Sequence, residues 1–118
     1  NQPVILVEGV FDAIKAGNNA IPMLGSWIDE GHFLFKKIVN EKTPVTLGLD
    51  PDAIEKTMKI AKNLTSFGVD VKICEHIVSD FGDMSKEEVK YYIENAKKYD
   101  ISDRITYLIK NISSGSIF

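Results

Sequence analysis

A single cysteine, Cys74, excludes an internal disulfide and suits a reducing compartment, so a cytoplasmic location is expected. No apolar run approaches the length of a bilayer span, and no membrane partner is expected. Cys/His spacing of the zinc-site kind is missing. His32 and His76 stand far apart and are expected on the surface or against a helix. Basic residues are not in excess: 14 Lys and Arg face 17 Asp and Glu, a net charge of −3. That balance does not give a domain that grips phosphate backbones by its own charge, so divalent cations or a basic neighbouring domain would have to supply the attraction. There is no initiator methionine, no charged-then-apolar leader and no internal repeat. The expectation is a piece of a longer polypeptide without a visible signal peptide.

What is present fits one globular domain. The 118 residues are 44% hydrophobic and 26% charged, enough to bury a core without covalent staples. Pro3-Val4-Ile5-Leu6-Val7 is a continuous β-branched run that suits a strand covered on both faces. A two-turn helix is expected from about Phe11 to Ala16, closed by Gly17. Ala20 to Leu24 reads as a second strand, and Pro22 places it at a sheet edge because proline cannot donate to a ladder. Gly25-Ser26 ends it in a turn, which Trp27 would cover. Asp29 is expected to cap a helix running to about Val39.

Pro44 opens a third strand, Val45-Thr46-Leu47-Gly48-Leu49, which runs out into Asp50-Pro51-Asp52. The helix after it carries Ile54, Met58, Ala61 and Leu64 as its apolar stripe, with Lys56, Lys59 and Lys62 expected on a solvated face. Val69 to Cys74 alternates like a fourth strand, with Cys74 expected as a small core residue. Ser85-Lys86-Glu87-Glu88 is a capping box opening a helix with Val89, Tyr92, Ile93 and Ala96 on one face. A last helix is expected from Ser102, then a tail. Residues 1–100 thus form the domain, and 101–118 a C-terminal helix and tail leading into a further domain.

Four strand–helix alternations imply an α/β fold with a parallel sheet and right-handed crossovers. If the strand order is 2-1-3-4, a crevice opens between the first and third strands at their carboxyl ends. Glu8 ends one and Asp50 the other, so Glu8, Asp50 and Asp52 would meet at one edge, with Asp12 a turn further on. Two readings stay open. Asp52-Ala53-Ile54-Glu55 is itself a capping-box pattern, and Asp50-Pro51 looks like a cap followed by a first-turn proline. The other reading is a cation site, because like charges at close range call for a neutralising ion. Magnesium takes a few carboxylates with water and substrate phosphate, and metal-assisted phosphoryl transfer is the chemistry that fits.

The same residues resemble a known family. Val4 to Ile14 (with Glu8-Gly9 and Asp12), Leu24-Gly25-Ser26 and Leu49-Asp50-Pro51-Asp52 closely resemble the Toprim domain of bacterial-type DNA primases and phage primase-helicases, over roughly residues 3 to 90. The resemblance implies a three-layer Rossmann-like fold and a Mg2+- (or Mn2+-) dependent nucleotidyltransferase that makes RNA primers on a DNA template. By that resemblance Glu8 is a catalytic acid/base or metal-associated residue, Asp50 and Asp52 bind metal, and Asp12 belongs to the acidic catalytic pocket. Asp83 is a further acidic candidate, and Gly9, Gly25 and Ser26 serve the backbone turns. The sequence departs from the family pattern at Ala53-Ile54-Glu55, where primases carry an alanine-glycine pair, and at Ser85, where a second loop aspartate is usual.

The partners implied are a single-stranded DNA template and nucleoside triphosphates in the full-length protein, with zinc-binding and helicase domains or subunits. The fragment alone is expected to be inactive. The alternatives are a Toprim nuclease of the overcoming-lysogenisation or ribosomal-RNA-maturation type, or a non-catalytic Toprim module that binds nucleic acid in a helicase-linked protein. A receiver domain would need two acids after the first strand and a fifth strand ending in lysine, neither of which is found, and a haloacid-dehalogenase-type phosphatase would carry its aspartate pair after the first strand, whereas here it follows the third.

Overall fold

The computed structural model describes residues 2–23, 32–75, 77 and 79–100. Strands β1 (Val4–Val7), β2 (Ala20–Pro22), β3 (Val45–Leu47), β4 (Val71–Ile73) and β5 (Lys97–Lys98) form one sheet in the order β2-β1-β3-β4-β5. The first four are parallel, in the order expected from the alternation of strand and helix. β5 was not foreseen; it adds antiparallel to β4, pairing Lys98 with Lys72 and Lys97 with Ile73. Two exposed lysines show no alternation that could announce a strand. Pro22 pairs with Val7 on the outermost strand, where its missing N–H leaves no gap in the ladder.

Helices α1 (Val10–Ala16), α2 (Phe33–Glu41), α3 (Ile54–Ser66) and α4 (Lys86–Glu94) cover both faces of the sheet. Alternate residues of each strand divide between two cores, as the two-residue period of a strand requires. Leu6, Val45, Leu47 and Val71 pack with Phe35 and Ile38 of α2 and with Met58, Ile60, Ala61 and Leu64 of α3. Ile5 and Val7 pack on the opposite side with Phe81, Met84 and Val89, against Ala13 and Ala16 of α1 and Tyr92 and Ile93 of α4. Cys74 lies buried in this second core, and burial pushes its thiol up to about 12.

The helix ends follow local chemistry. Gly17 closes α1 at φ 108°, a conformation only glycine adopts freely, and its N–H reaches the Ala13 carbonyl. Ser85 Oγ accepts from Glu88 N–H while Glu88 Oε1 accepts from Ser85 N–H, the expected capping box of α4. α2 starts at Phe33, with His32 Nδ1 accepting from Leu34 N–H as its cap. Asp29, expected in that role, lies outside the described residues, as do Gly25, Ser26, Trp27, His76 and the expected C-terminal helix. Among the described residues no helix is long and apolar enough to cross a membrane.

Candidate functional site

The parallel pairing of β1 with β3 brings Leu6 opposite Leu47, and Gly48 N–H donates to the Leu6 carbonyl at 2.9 Å. Both strands therefore leave the sheet at the same edge, Glu8 following β1 and Asp50 following β3. β4 runs the same way, with Cys74 N–H on the Leu47 carbonyl, so the loop from Glu75 to Met84 rises at that edge too. Three segments distant in sequence thus deliver acids to one rim.

The capping account of the aspartates does not hold. The residue flanking α3 is Ala53, and no side chain caps the helix. Asp50 contributes its backbone carbonyl to a turn, accepting from Ala53 N–H at 2.9 Å, which leaves its carboxyl free of helix duty. That carboxyl is half-buried and hydrogen-bonded to Asp80. Burial, then the charge and hydrogen bond of Asp80, then the charges of Asp12 and Glu8 push it up to about 7. The shift belongs to Asp50, whose ionised form is opposed by burial and by the acids around it.

Asp12 is buried and fully engaged. Its Oδ2 accepts from Gly9 N–H at 2.9 Å and its Oδ1 from Gly82 N–H at 2.6 Å. One turn on, Lys15 Nζ donates to the Met84 carbonyl at 2.7 Å. α1 therefore grips the acidic loop at two points. Gly82 fits because a side chain there would crowd Asp12 Oδ1 and Phe11 Cβ, each 3.2 Å from an added Cβ.

The loop is also pinned from the sheet side. Phe81 opens a 3₁₀ turn, Phe81–Asp83, and its ring lies over Gly48. A Cβ on Gly48 would stand 2.5 Å from Phe81 Cε2, so only glycine admits the ring. Phe81 thereby sets the position of the neighbouring Asp80 relative to Asp50, two residues beyond Gly48.

Glu8 is paired. Its Oε2 lies 3.4 Å from Lys56 Nζ, with the two side chains only 19% and 12% exposed. The expectation of Lys56 on a solvated face is thus corrected: Lys59 and Lys62 are exposed, but Lys56 turns in to the acids. The reason is angular. Residues three apart on a helix advance about 300°, so the three lysines spread across an arc, and its end reaches the sheet rim.

The structure therefore gathers Glu8, Asp12 and Asp50, and from the acidic loop Ser79–Asp83 it adds Asp80, where Asp83 is the residue expected from the sequence. Asp52 is exposed on the turn after Asp50, and Asp83 is exposed at the end of the 3₁₀ turn. Gly9 serves the α1 entry through its N–H, as expected of a turn glycine. Among the described residues no three Asp, Glu, His or Cys side chains converge as a ready-made chelate. The acidic donors at the rim are carboxylate oxygens, and Asp50 is hydrogen-bonded to Asp80.

A scan against protein-family models finds no match, and no curated protein matches. Among solved structures, the crystal structure of the Aquifex aeolicus primase (zinc-binding and RNA polymerase domains) is similar, with a TM-score of 0.67 and 20% sequence identity. The match covers 95% of this chain and 30% of that one, so the chain spans under a third of the protein it resembles. At that identity the likeness is one of architecture: this chain has a primase-like α/β fold.

Proposed function

We propose that the chain is the metal-binding Toprim domain of a primase-like nucleotidyltransferase, which synthesises RNA primers on a single-stranded DNA template from nucleoside triphosphates. The observation that supports this reading is the Asp50 carboxyl, half-buried and hydrogen-bonded to Asp80 with Asp12 and Glu8 nearby, at the carboxyl edge of a primase-like sheet. Carboxylates gathered at one rim favour positive charge there, and an all-oxygen donor set fits a hard divalent cation. Magnesium needs only one or two carboxylates alongside water and substrate phosphate, so a preformed triad is not required.

In this reading Asp50 and Asp52, with Glu8, would hold Mg2+ or Mn2+, and Asp80 would adjoin Asp50. The ion, when bound, would supply charge neutralisation to the transferring phosphoryl group. The chain's own residues do the rest. Glu8, fixed at the end of β1, stands where it can take or return a proton at the rim. Asp12 spends both oxygens on backbone N–H groups and keeps the acidic loop docked. The net charge of −3 assigns the holding of template and nucleotide to other domains, a zinc-binding domain and a basic neighbour, with a helicase domain or subunit as a further partner.

The test is primer synthesis on single-stranded DNA by the intact parent protein carrying Asp50→Ala or Asp52→Ala. The expected result is loss of primers at unchanged expression and fold. Activity near wild type in the Asp50 variant would overturn the reading, and metal-dependent template cleavage without primers would replace it with a nuclease.

A further inference from the structure

Lys56 is the third residue of α3, in the first turn, where the helix dipole presents its positive end and a cation is disfavoured. Its side chain nonetheless folds inward, 12% exposed, to reach Glu8. Ordering a lysine and drawing two charges partly out of water both cost free energy. The pair sits at the acidic rim, where β1 and β3 leave the sheet side by side.

The acids of the rim are also unequal. Asp12 accepts a backbone N–H on each oxygen, from Gly9 and Gly82, and Glu8 faces an ammonium. Asp50 and Asp80 face each other, and each other's charge. Glu8 is thus the rim carboxylate with an ammonium in contact, at 3.4 Å.

We propose that Lys56 is a built-in counter-cation of the acidic rim: it occupies Glu8, competes with an arriving divalent ion for that carboxylate, and so sets how tightly the rim holds metal. Lys56 is a positioning residue here, acting through Glu8. The inference rests on the divalent-metal reading above, and its test separates the two.

The measurement is Mn2+ binding to the 118-residue chain, read as loss of the free-ion electron paramagnetic resonance signal. Lys56→Gln is expected to bind about tenfold more tightly than wild type, since a unit charge near a divalent ion is removed. Lys56→Arg, which keeps the charge, should bind as wild type does. In a Glu8→Gln background the gain from Lys56→Gln should disappear, because the carboxylate that Lys56 guards is gone. Binding unchanged or weakened by Lys56→Gln, with an unaltered circular dichroism spectrum, overturns the inference and leaves the metal reading standing. Wild-type affinity in Asp50→Asn instead overturns the metal reading. No binding to wild type or to Lys56→Gln at millimolar Mn2+ overturns both. Should Lys56→Gln not fold, the unmutated chain still decides: saturating Mg2+ is expected to shift the Lys56 Nζ resonance, and an unmoved resonance refutes the proposal.

Discussion

Gly48→Ala should damage this protein far more than a single methyl suggests. The added Cβ would lie 2.5 Å from Phe81 Cε2 and 2.9 Å from Cζ, well inside van der Waals contact. The ring cannot simply step aside, because Phe81 is 2% exposed and packed among Ile5, Val7, Met84 and Val89. Either the ring is squeezed, at about 1–3 kcal/mol for overpacking, or it turns out and forfeits about 1.5–3 kcal/mol of apolar burial. Both routes converge on about 2–3 kcal/mol, which in a domain of this size lowers Tm by roughly 8–12 °C. Because Phe81 adjoins Asp80, the same change should also loosen Asp80 from Asp50 and weaken Mn2+ binding. The assay is thermal unfolding by circular dichroism, with urea unfolding to obtain the free energy. Phe81→Leu in the Gly48→Ala background relieves the clash, so the double variant should be more stable than the sum of the singles by about 1 kcal/mol or more. A Gly48→Ala protein melting within 2 °C of wild type would refute the argument that this glycine seats the ring.

Three further outcomes follow from the same contacts. Asp12→Ala leaves the Gly9 and Gly82 N–H groups without their acceptor and should cost about 2–4 kcal/mol in urea unfolding, given what hydrogen bonds to charged groups contribute; an unchanged midpoint would show that Asp12 does not anchor the loop. Asp50, raised to about 7 in the folded chain, binds a proton there that the unfolded chain has released, so between about pH 4 and pH 7 its contribution to stability falls as pH rises and then levels off. The metal-free protein should therefore lose Tm over that range, and Asp50→Asn or added Mg2+ should flatten the loss; a slope surviving in Asp50→Asn would assign it elsewhere. Cys74, buried and pushed up to about 12, should resist thiol reagents at pH 8 until the chain is denatured, and prompt labelling of folded protein would contradict its burial.

The sequence carried the sheet well, for a definite reason. Val4–Val7 and Val45–Leu47 are apolar on both faces, as parallel strands under two layers of helix must be, and the helices between them fix the crossovers. The meeting of Glu8 with Asp50 followed from that topology alone. The identity of the third acid did not. Asp80 and Asp83 sit three residues apart in a loop without periodicity, and which one faces Asp50 is decided by the Phe81 ring against Gly48, a contact between segments over thirty residues apart. Lys56 was hidden by its company, because Lys59 and Lys62 are solvated and share its spacing. The capping-box pattern at Asp52 misled in the opposite direction: the chain has the right residue types, but α3 starts one residue later, at Ile54, so Asp52 is not its cap.

The central claim is tested most directly by the anomalous-difference map of a crystal of this chain soaked in Mn2+. The account predicts a peak at the carboxyl edge of the sheet, about 2.1 Å from a carboxylate oxygen of Asp50 and sharing Asp80 or Asp52. A well-diffracting crystal at millimolar Mn2+ with no peak at Asp50, or with manganese bound only away from that edge, would contradict it.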